Sequence, residues 1–502
     1  MTLKVGDSLR RKIATAWCMY DWANSAFATT ILAAVLPVYY SQVAAATLAP
    51  AVATAYWSLG LSLSLLIVAV LSPILGTVSD VVRGKKRFLT SFALLGIIGT
   101  GLLVLVDSGD WLLASVLFIL ARIGFTSANV FYDALLPHIA TEEERDKVSA
   151  RGYALGYLGG GLLLAINAVM IQVLPGTWGP RLSFLSVAIW WAVFSIPLLR
   201  WVPEPPAAAA PAKAGESVAA ISFRRIAEVV KDIRRYRELF KFLIAFLIYN
   251  DAIGTIIGVA SIYGAELGFG STQLVLALLL VQFVGIPFSL LFGRLPSKTE
   301  PRRPLYLAFV VFNLVALPLV GALGARALPD ENLGLVLGTI LAVQGVGVVF
   351  ALLLGRPLFG RLAATFDTRR SIVLSLVVYA VISVWGYFLN SVIEFWMLAW
   401  MVAIVQGGSQ ALSRSLYASL SPAAKSGEFF GLFGVMEKFS SILGPLLFAG
   451  AVAIFGNSRP AILSLITFFI IGIVLLRNVN VDEGARVARE EDARAGLLTA
   501  NE

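Results

Sequence analysis

Fourteen separate stretches of this chain are each long and apolar enough to cross a lipid bilayer, and that pattern decides what it can fold into. They run over 16–46, 54–78, 88–106, 111–137, 150–173, 182–202, 239–263, 271–293, 304–324, 335–355, 371–389, 396–420, 428–455 and 460–476. A helix needs about 20 apolar residues to span the hydrocarbon core. The segments are apolar all round and too long for the alternating ten-residue strands of a membrane barrel, so an all-α integral membrane protein is expected. Composition agrees: 58% of the 502 residues are apolar and 14% are charged, with a mean hydropathy of +0.85. A water-soluble domain carries nearer a quarter charged residues to clothe its surface. The first stretch exceeds a bare crossing and is expected to bend at Pro37.

The net charge of +9 raises the question of nucleic acid, and the placement of the charges answers it. With the N-terminus inside, three of the 39 Lys and Arg residues fall on outer segments: Arg181, Arg326 and Arg459. Arg122, Arg414 and Lys438 lie within helices, and the other 33 fall on the inner side. That asymmetry is the positive-inside pattern. It predicts both termini in the cytoplasm, with anionic lipid rather than nucleic acid beside the basic loops. One Cys (Cys18) and one His (His138) leave nothing for a disulfide framework or a Cys/His metal site, and no cofactor is expected. No cleavable leader is read at the N-terminus, where the first apolar run carries Asp21 and Asn24.

The longest polar stretch, 203–238, opens with Pro203-Glu-Pro-Pro206, passes through an Ala/Pro tract and ends in a basic segment, Ser222–Tyr236, suited to lie on a membrane. It divides the chain into an N-terminal six-helix half, 1–202, and a C-terminal half, 239–476, followed by a charged, loose cytoplasmic tail, 477–502. Tyr20-Asp21 and Tyr249-Asn250-Asp251 stand near the start of each half, and Gly-rich runs, Gly152 to Gly161 and Gly431 to Gly444, stand in corresponding later helices. Internal repeats meeting at a central cavity are a common transporter plan.

Four segments carry a resemblance: Trp17–Phe27, Phe131–Ala140, Ala154–Gly161 and Val405–Ser415. They are similar to a branch of the major facilitator superfamily, the branch that includes the autophagy-related vacuolar amino-acid effluxer of fungi and many bacterial relatives. The stretch Gly76-Thr-Val-Ser-Asp80, with Arg83, Gly84 and Lys85, resembles the superfamily's signature loop, although Asp80 and Gly84 are one residue further apart than usual. The resemblance implies the major facilitator fold of two pseudo-symmetric halves. It also implies a monomeric secondary transporter moving a small solute by alternating access, in the cell (inner) membrane if the source is bacterial. An amino acid or similar metabolite is the implied solute. The family plan has twelve helices, so the surplus pair at 304–355 is read as an insertion on the outside of the bundle. Phe292-Gly-Arg-Leu295 and Phe359-Gly-Arg-Leu362 both resemble a second copy of the loop, and either could be it.

Intramembrane polar residues mark the chemistry, because a charge in hydrocarbon costs at least about 2.5 kcal/mol and normally faces a cavity or a partner. Helical spacing groups Trp17, Asp21 and Asn24 on one face, then Arg122, Asn129 and Asp133, then Gln406, Gln410 and Arg414, with Asn250 and Asp251 on the seventh helix. At about 1.5 Å per residue, Arg122, Asp251 and Lys438 fall near mid-membrane, and Asp21, Asp133 and Arg414 nearer the cytoplasm. Asn24, Arg122, Asp251 and Lys438 are therefore the candidates for substrate or coupling-ion contact. Asp21, Asn129, Asp133, Asn250, Gln406, Gln410 and Arg414 are candidate cavity or gate groups. Adjacent Glu437 and Lys438 point about 100° apart on a helix, so one is expected to bind and the other to pair elsewhere. Protons are the candidate coupling ion, with Asp251 as their first site; a permanent Asp251–Lys438 ion pair is the alternative. No Walker-type loop is present. A membrane enzyme lacks a catalytic cluster here, which leaves a non-transporting receptor on the same fold as the second reading.

Overall fold

The computed structural model describes residues 7–206, 234–327, 333–440 and 443–496. Its described residues are almost wholly helical, and fourteen spans among them are long and apolar enough to cross a membrane. The first crossing is α1 (Asp7–Ala26) continued by a π-helical stretch, Phe27–Ala34, a short turn, Leu36–Tyr39, and a second π-helical stretch, Tyr40–Ala44. The expected bend at Pro37 is thus spread over two widened segments, in which Val35 N donates to Thr30 O (2.8 Å) and Ala45 N to Tyr40 O (2.8 Å). Pro37 has no N–H for the α ladder, and the wider register re-pairs the groups around it.

The next five crossings are α2 (Pro50–Val81), α3 (Lys85–Leu102), α4 (Trp111–Ala134), α5 (Arg145–Val173) and α6 (Trp178–Trp201). After the linker come α7 (Arg237–Glu266), α8 (Ser271–Arg294), α9 (Arg303–Ala327), α10 (Leu333–Ala364), α11 (Thr368–Phe388) and α12 (Val392–Leu420). The stretch expected as one helix over 428–455 is two, α13 (Ser426–Phe439) and α14 (Leu443–Phe455). The last crossing is also divided, into α15 (Ser458–Ser464) and α16 (Ile466–Arg477).

Lipid cannot drive these helices together by the hydrophobic effect, so close packing of small residues and interhelical hydrogen bonds do it. A Cβ on Gly124 of α4 would overlap the backbone of Gly96 in α3, and one on Gly76 of α2 would overlap the Gly427 carbonyl of α13. Large apolar side chains face outward instead, Leu59, Leu66 and Leu353 among them. Trp191 is fully buried and packs on Phe27 and Phe125.

The surplus pair, α9 and α10, packs mainly on itself, with α9 against α12. Its two amides share one bond, Gln344 Nε2 to Asn313 Oδ1 (2.8 Å), while Asn313 Nδ2 donates to Phe309 O (2.9 Å). The linker residues 207–233, including most of the basic segment Ser222–Tyr236, lie outside the described residues. The tail is not loose over its first part. It forms α17 (Val481–Arg494), capped by the Asn480 side chain, which accepts from Glu483 N (3.1 Å). This helix is docked: Asp492 accepts from Ala423 N (3.0 Å) and Ala424 N (2.8 Å), and Glu491 pairs with Lys425 (2.7 Å) and Arg235. Charge alone misread it, because its acidic residues find fixed partners on the bundle instead of solvent.

Candidate functional site

Arg414 of α12 is the point where helices from both sides of the linker meet. Its Nη1 donates to Asp133 Oδ1 of α4 (3.1 Å), and Nη1 and Nη2 reach Asp21 Oδ2 of α1 (3.4 and 3.3 Å). Nε donates to Ser149 Oγ of α5 (2.9 Å), and Nη2 to Ser149 O (3.0 Å). The guanidinium also lies over the rings of Trp17, Tyr153 and Tyr132, 4.8, 4.6 and 5.5 Å from their centres. The α1 and α4 faces read from spacing come together here: Trp17 stacks on Tyr132 at 4.3 Å, and Tyr132 donates its hydroxyl to Asp21 Oδ2 (2.8 Å). Gly152 is what lets α5 approach, since a Cβ there would overlap the Asp21 carboxylate.

A second set of bonds lies at the end of the bundle that carries the 76–87 loop. Asp80 at the end of α2 is fully buried, pairs with Lys85, and accepts from Gly427 N (3.0 Å) and Glu428 N (2.8 Å). Those are orphan amides in the first turn of α13, so Asp80 caps a helix from across the linker. His138 Nε2 lies 2.9 Å from Ser426 Oγ, and Arg145 Nη1 donates to Ser419 Oγ (3.1 Å). Arg83 takes the left-handed backbone conformation at φ 51°, where a turn normally recruits glycine, while Gly84 has φ −132°. Arg83 is exposed and Gly76 forms the close α2–α13 contact.

Beyond Arg414, away from that end, lies a cavity of about 500 Å³. Asp21, Asn24, Arg122, Asn129, Asp133, Asn250, Gln406, Gln410, Arg414 and Lys438 all line it. Asn24 Nδ2 donates to Asn129 Oδ1 (2.6 Å), Gln410 Nε2 to Asn250 Oδ1 (2.8 Å), and Asn250 Nδ2 to Ser440 Oγ (2.7 Å). Arg122 stands apart. Its Nε is buried without a hydrogen-bond partner, no carboxylate pairs with it among the described residues, and its nearest ring is Phe118 at 5.9 Å. Glu437 and Lys438 both reach the cavity wall and pair with each other at 2.8 Å. Neither is seen to pair with a neighbouring helix among the described residues: both lie in the last turn of α13, and their long side chains bridge the angle between adjacent positions.

Asp251 is absent from the cavity wall. Its side chain is fully buried and its Oδ2 accepts from Gly444 N (2.7 Å) in the first turn of α14. It is placed as a helix cap, and Lys438 is engaged with Glu437. Spacing along α7 could not show this, since Gly444 lies 193 residues further along the chain. Spacing also passed over Tyr153 and Tyr157 of α5 and Gln282 of α8, which line the cavity. Two tyrosines four residues apart inside the Gly152–Gly161 run were the available signal.

The hydrogen bonds joining the two sets of helices among the described residues come from Asp21, Asp80, Asp133, His138, Glu142, Arg145, Asp146 and Ser149, all towards the loop end. The family model described as "Vacuole effluxer Atg22 like" matches residues 48–337 and 337–489. The MFS-type transporter YxiO of Bacillus subtilis is 33% identical over 489 residues, covering 96% of this chain and 98% of its own. This chain belongs to the Atg22-like branch of the major facilitator superfamily. Autophagy-related protein 22 of Yarrowia lipolytica is 25% identical over 86% of this chain and 76% of its own. Among solved structures, the proton:xylose symporter XylE superposes with a TM-score of 0.60 at 15% identity, covering 98% of this chain and all of that one. The outward conformation of FucP gives 0.58 at 12% identity, over 94% and 98%. The superfamily fold is therefore present, with fourteen candidate spans instead of twelve, in a multi-pass membrane protein of a transporter family and not an enzyme family.

Proposed function

We propose that this protein is a secondary carrier for a small zwitterionic solute, an amino acid or a similar metabolite. The observation that carries the reading is Arg122, a cation on the cavity wall with no acidic partner among the described residues. A guanidinium in that position suits a solute carboxylate, which it can hold through paired charge-assisted hydrogen bonds. Glu437, open to the same cavity and 44% exposed, offers a carboxylate for a solute ammonium group. The three cations and three carboxylates of the wall balance, so a neutral zwitterion enters without adding net charge to a site of low dielectric.

The positive-inside pattern places the loop end in the cytoplasm. Arg414 and Asp80 then form a closed cytoplasmic floor, and the cavity is reached from the outside. Alternating access requires those bonds to break and the outer walls to meet. Asn24, Asn129, Asn250, Gln406 and Gln410 supply the uncharged polar lining that a hydrated path needs.

Thermal-shift screening of purified protein against the individual amino acids, followed by flux in proteoliposomes, tests this. R122Q should weaken binding of the responding solute about 10- to 100-fold, the range for one lost charge-assisted contact. Unchanged affinity in R122Q overturns the assignment of Arg122. Saturable binding with no flux into sealed vesicles would favour the receptor reading over the carrier.

A further inference from the structure

Two carboxylates in this molecule share one cation, and they share it unequally. Asp21 Oδ2 receives the Tyr132 hydroxyl and both terminal nitrogens of Arg414. Asp133 receives only Arg414 Nη1, at 3.1 Å, and its side chain is 20% exposed, towards the cavity. Of the other acids nearby, Asp80 is held by Lys85 and two backbone amides; Asp251 lies off the cavity wall, with Oδ2 on Gly444 N and Oδ1 buried without a hydrogen-bond partner among the described residues; Glu437 lies on the wall beside Lys438. The charged groups facing Asp133 are Arg414 from α12, Asp21 from α1 and Glu437 from α13. The phenols of Tyr132 and, from α5, Tyr153 complete its surroundings.

Resting on the carrier reading above, we propose that Asp133 is the proton-coupling site of this protein, in place of Asp251. A proton arriving through the cavity adds to the Asp133 carboxylate and gives the neutral acid; no covalent bond breaks. The Arg414–Asp133 pair loses its attraction, while Asp21 keeps Arg414 neutralised, so no unpaired charge is left buried. Because Arg414 joins helices from the two sides of the linker, that loss loosens the floor. The proton is given up again when the site opens to the other side. A metal cation fits the place poorly, since it would sit beside the Arg414 guanidinium, whereas a proton adds no bulk.

The test uses full-length protein in proteoliposomes with the radiolabelled amino acid found by thermal shift. In wild type, exchange should vary with pH, and an imposed gradient of one pH unit should sustain a solute ratio of up to about tenfold for one proton per cycle. D133N should abolish gradient-driven accumulation and flatten the pH profile of exchange, whatever its absolute rate. D133E should keep both responses with a shifted midpoint, and it carries the test if D133N does not fold. A merely structural Asp133 would lower the rate without changing the pH profile. Gradient-driven accumulation in D133N, a pH-independent wild type, or accumulation driven by sodium instead overturns the proposal and leaves the carrier standing. Absence of amino-acid exchange in wild type at any pH overturns the carrier reading itself.

Discussion

Asp80 joins three donors from two parts of the chain at one buried side chain. It is fully buried, and its oxygens take two backbone amides of α13 together with the Lys85 ammonium. Under the alternating access proposed above, those amides belong to helices that separate when the floor opens, and the contact is then lost. D80N removes the charge and leaves one oxygen for two donors. A loss of about 1.5–3 kcal/mol from the closed floor is expected. Spin labels at Arg87 and Lys298, both exposed at the loop end, would report it as a broadened and longer distance distribution in D80N. An unchanged distribution would show that Asp80 serves only the local turn. His138 and Arg145 cross the same boundary with single bonds, each worth roughly 0.6 kcal/mol on the scale measured for membrane helices. The floor is thus held collectively, and no single residue of it needs to be irreplaceable.

At the scale of elements, α17 changes the picture of the C-terminus. It lies against the segment 421–425, which leads directly into α13. Burial pushes the Glu491 carboxyl up, and the Lys425 hydrogen bond and charge, with the charge of Arg235, more than offset it, so it sits below its ordinary value. A depressed carboxyl contributes stability above its unfolded value and loses it as pH falls through the folded one. Hydrogen exchange over 481–494 should therefore be protected at neutral pH and lose that protection in the acid range below the usual Glu value. E491Q should lose about fivefold of the protection at neutral pH, on the order of 1 kcal/mol for a half-exposed pair network. Equal protection in E491Q would assign the docking to Asp492 and the apolar contacts of Gly484 with Leu420 alone. The pair α9 and α10 is the opposite case. Its two amides pair off within it, and neither helix lines the cavity.

At the scale of the whole molecule, charge distinguishes one end of the bundle from the other. Its basic loops, the docked α17 and the floor all lie at one end, and the cavity lies beyond the floor. Reporter fusions at Gly109 and Pro175 should read as external, and fusions at Lys85 and Arg302 as internal. The reverse reading would turn the cavity towards the cytoplasm and invert the sense of the proposed proton movement.

Helix number and polar helix faces were legible from local chemistry. A run of 20 apolar residues can satisfy its backbone in lipid only as a helix, and i, i+4 spacing places Asp21 with Asn24, or Gln410 with Arg414, on one face. Which face meets which partner depends on groups far apart in sequence. Arg414 lies 393 residues from Asp21 and 281 from Asp133, and only packing through Gly152 brings them together. Asp251 shows the limit most clearly. Its position on α7 suggested a cavity carboxylate, but its Oδ2 accepts from Gly444 N, 193 residues away, and it does not line the cavity. Sequence by itself determined that the chain crosses a membrane many times with buried polar faces, because lipid penalises every unpaired backbone group. Tertiary structure alone decided which buried charges are spent on holding helices and which are left facing the cavity, because that depends on where neighbouring helices end.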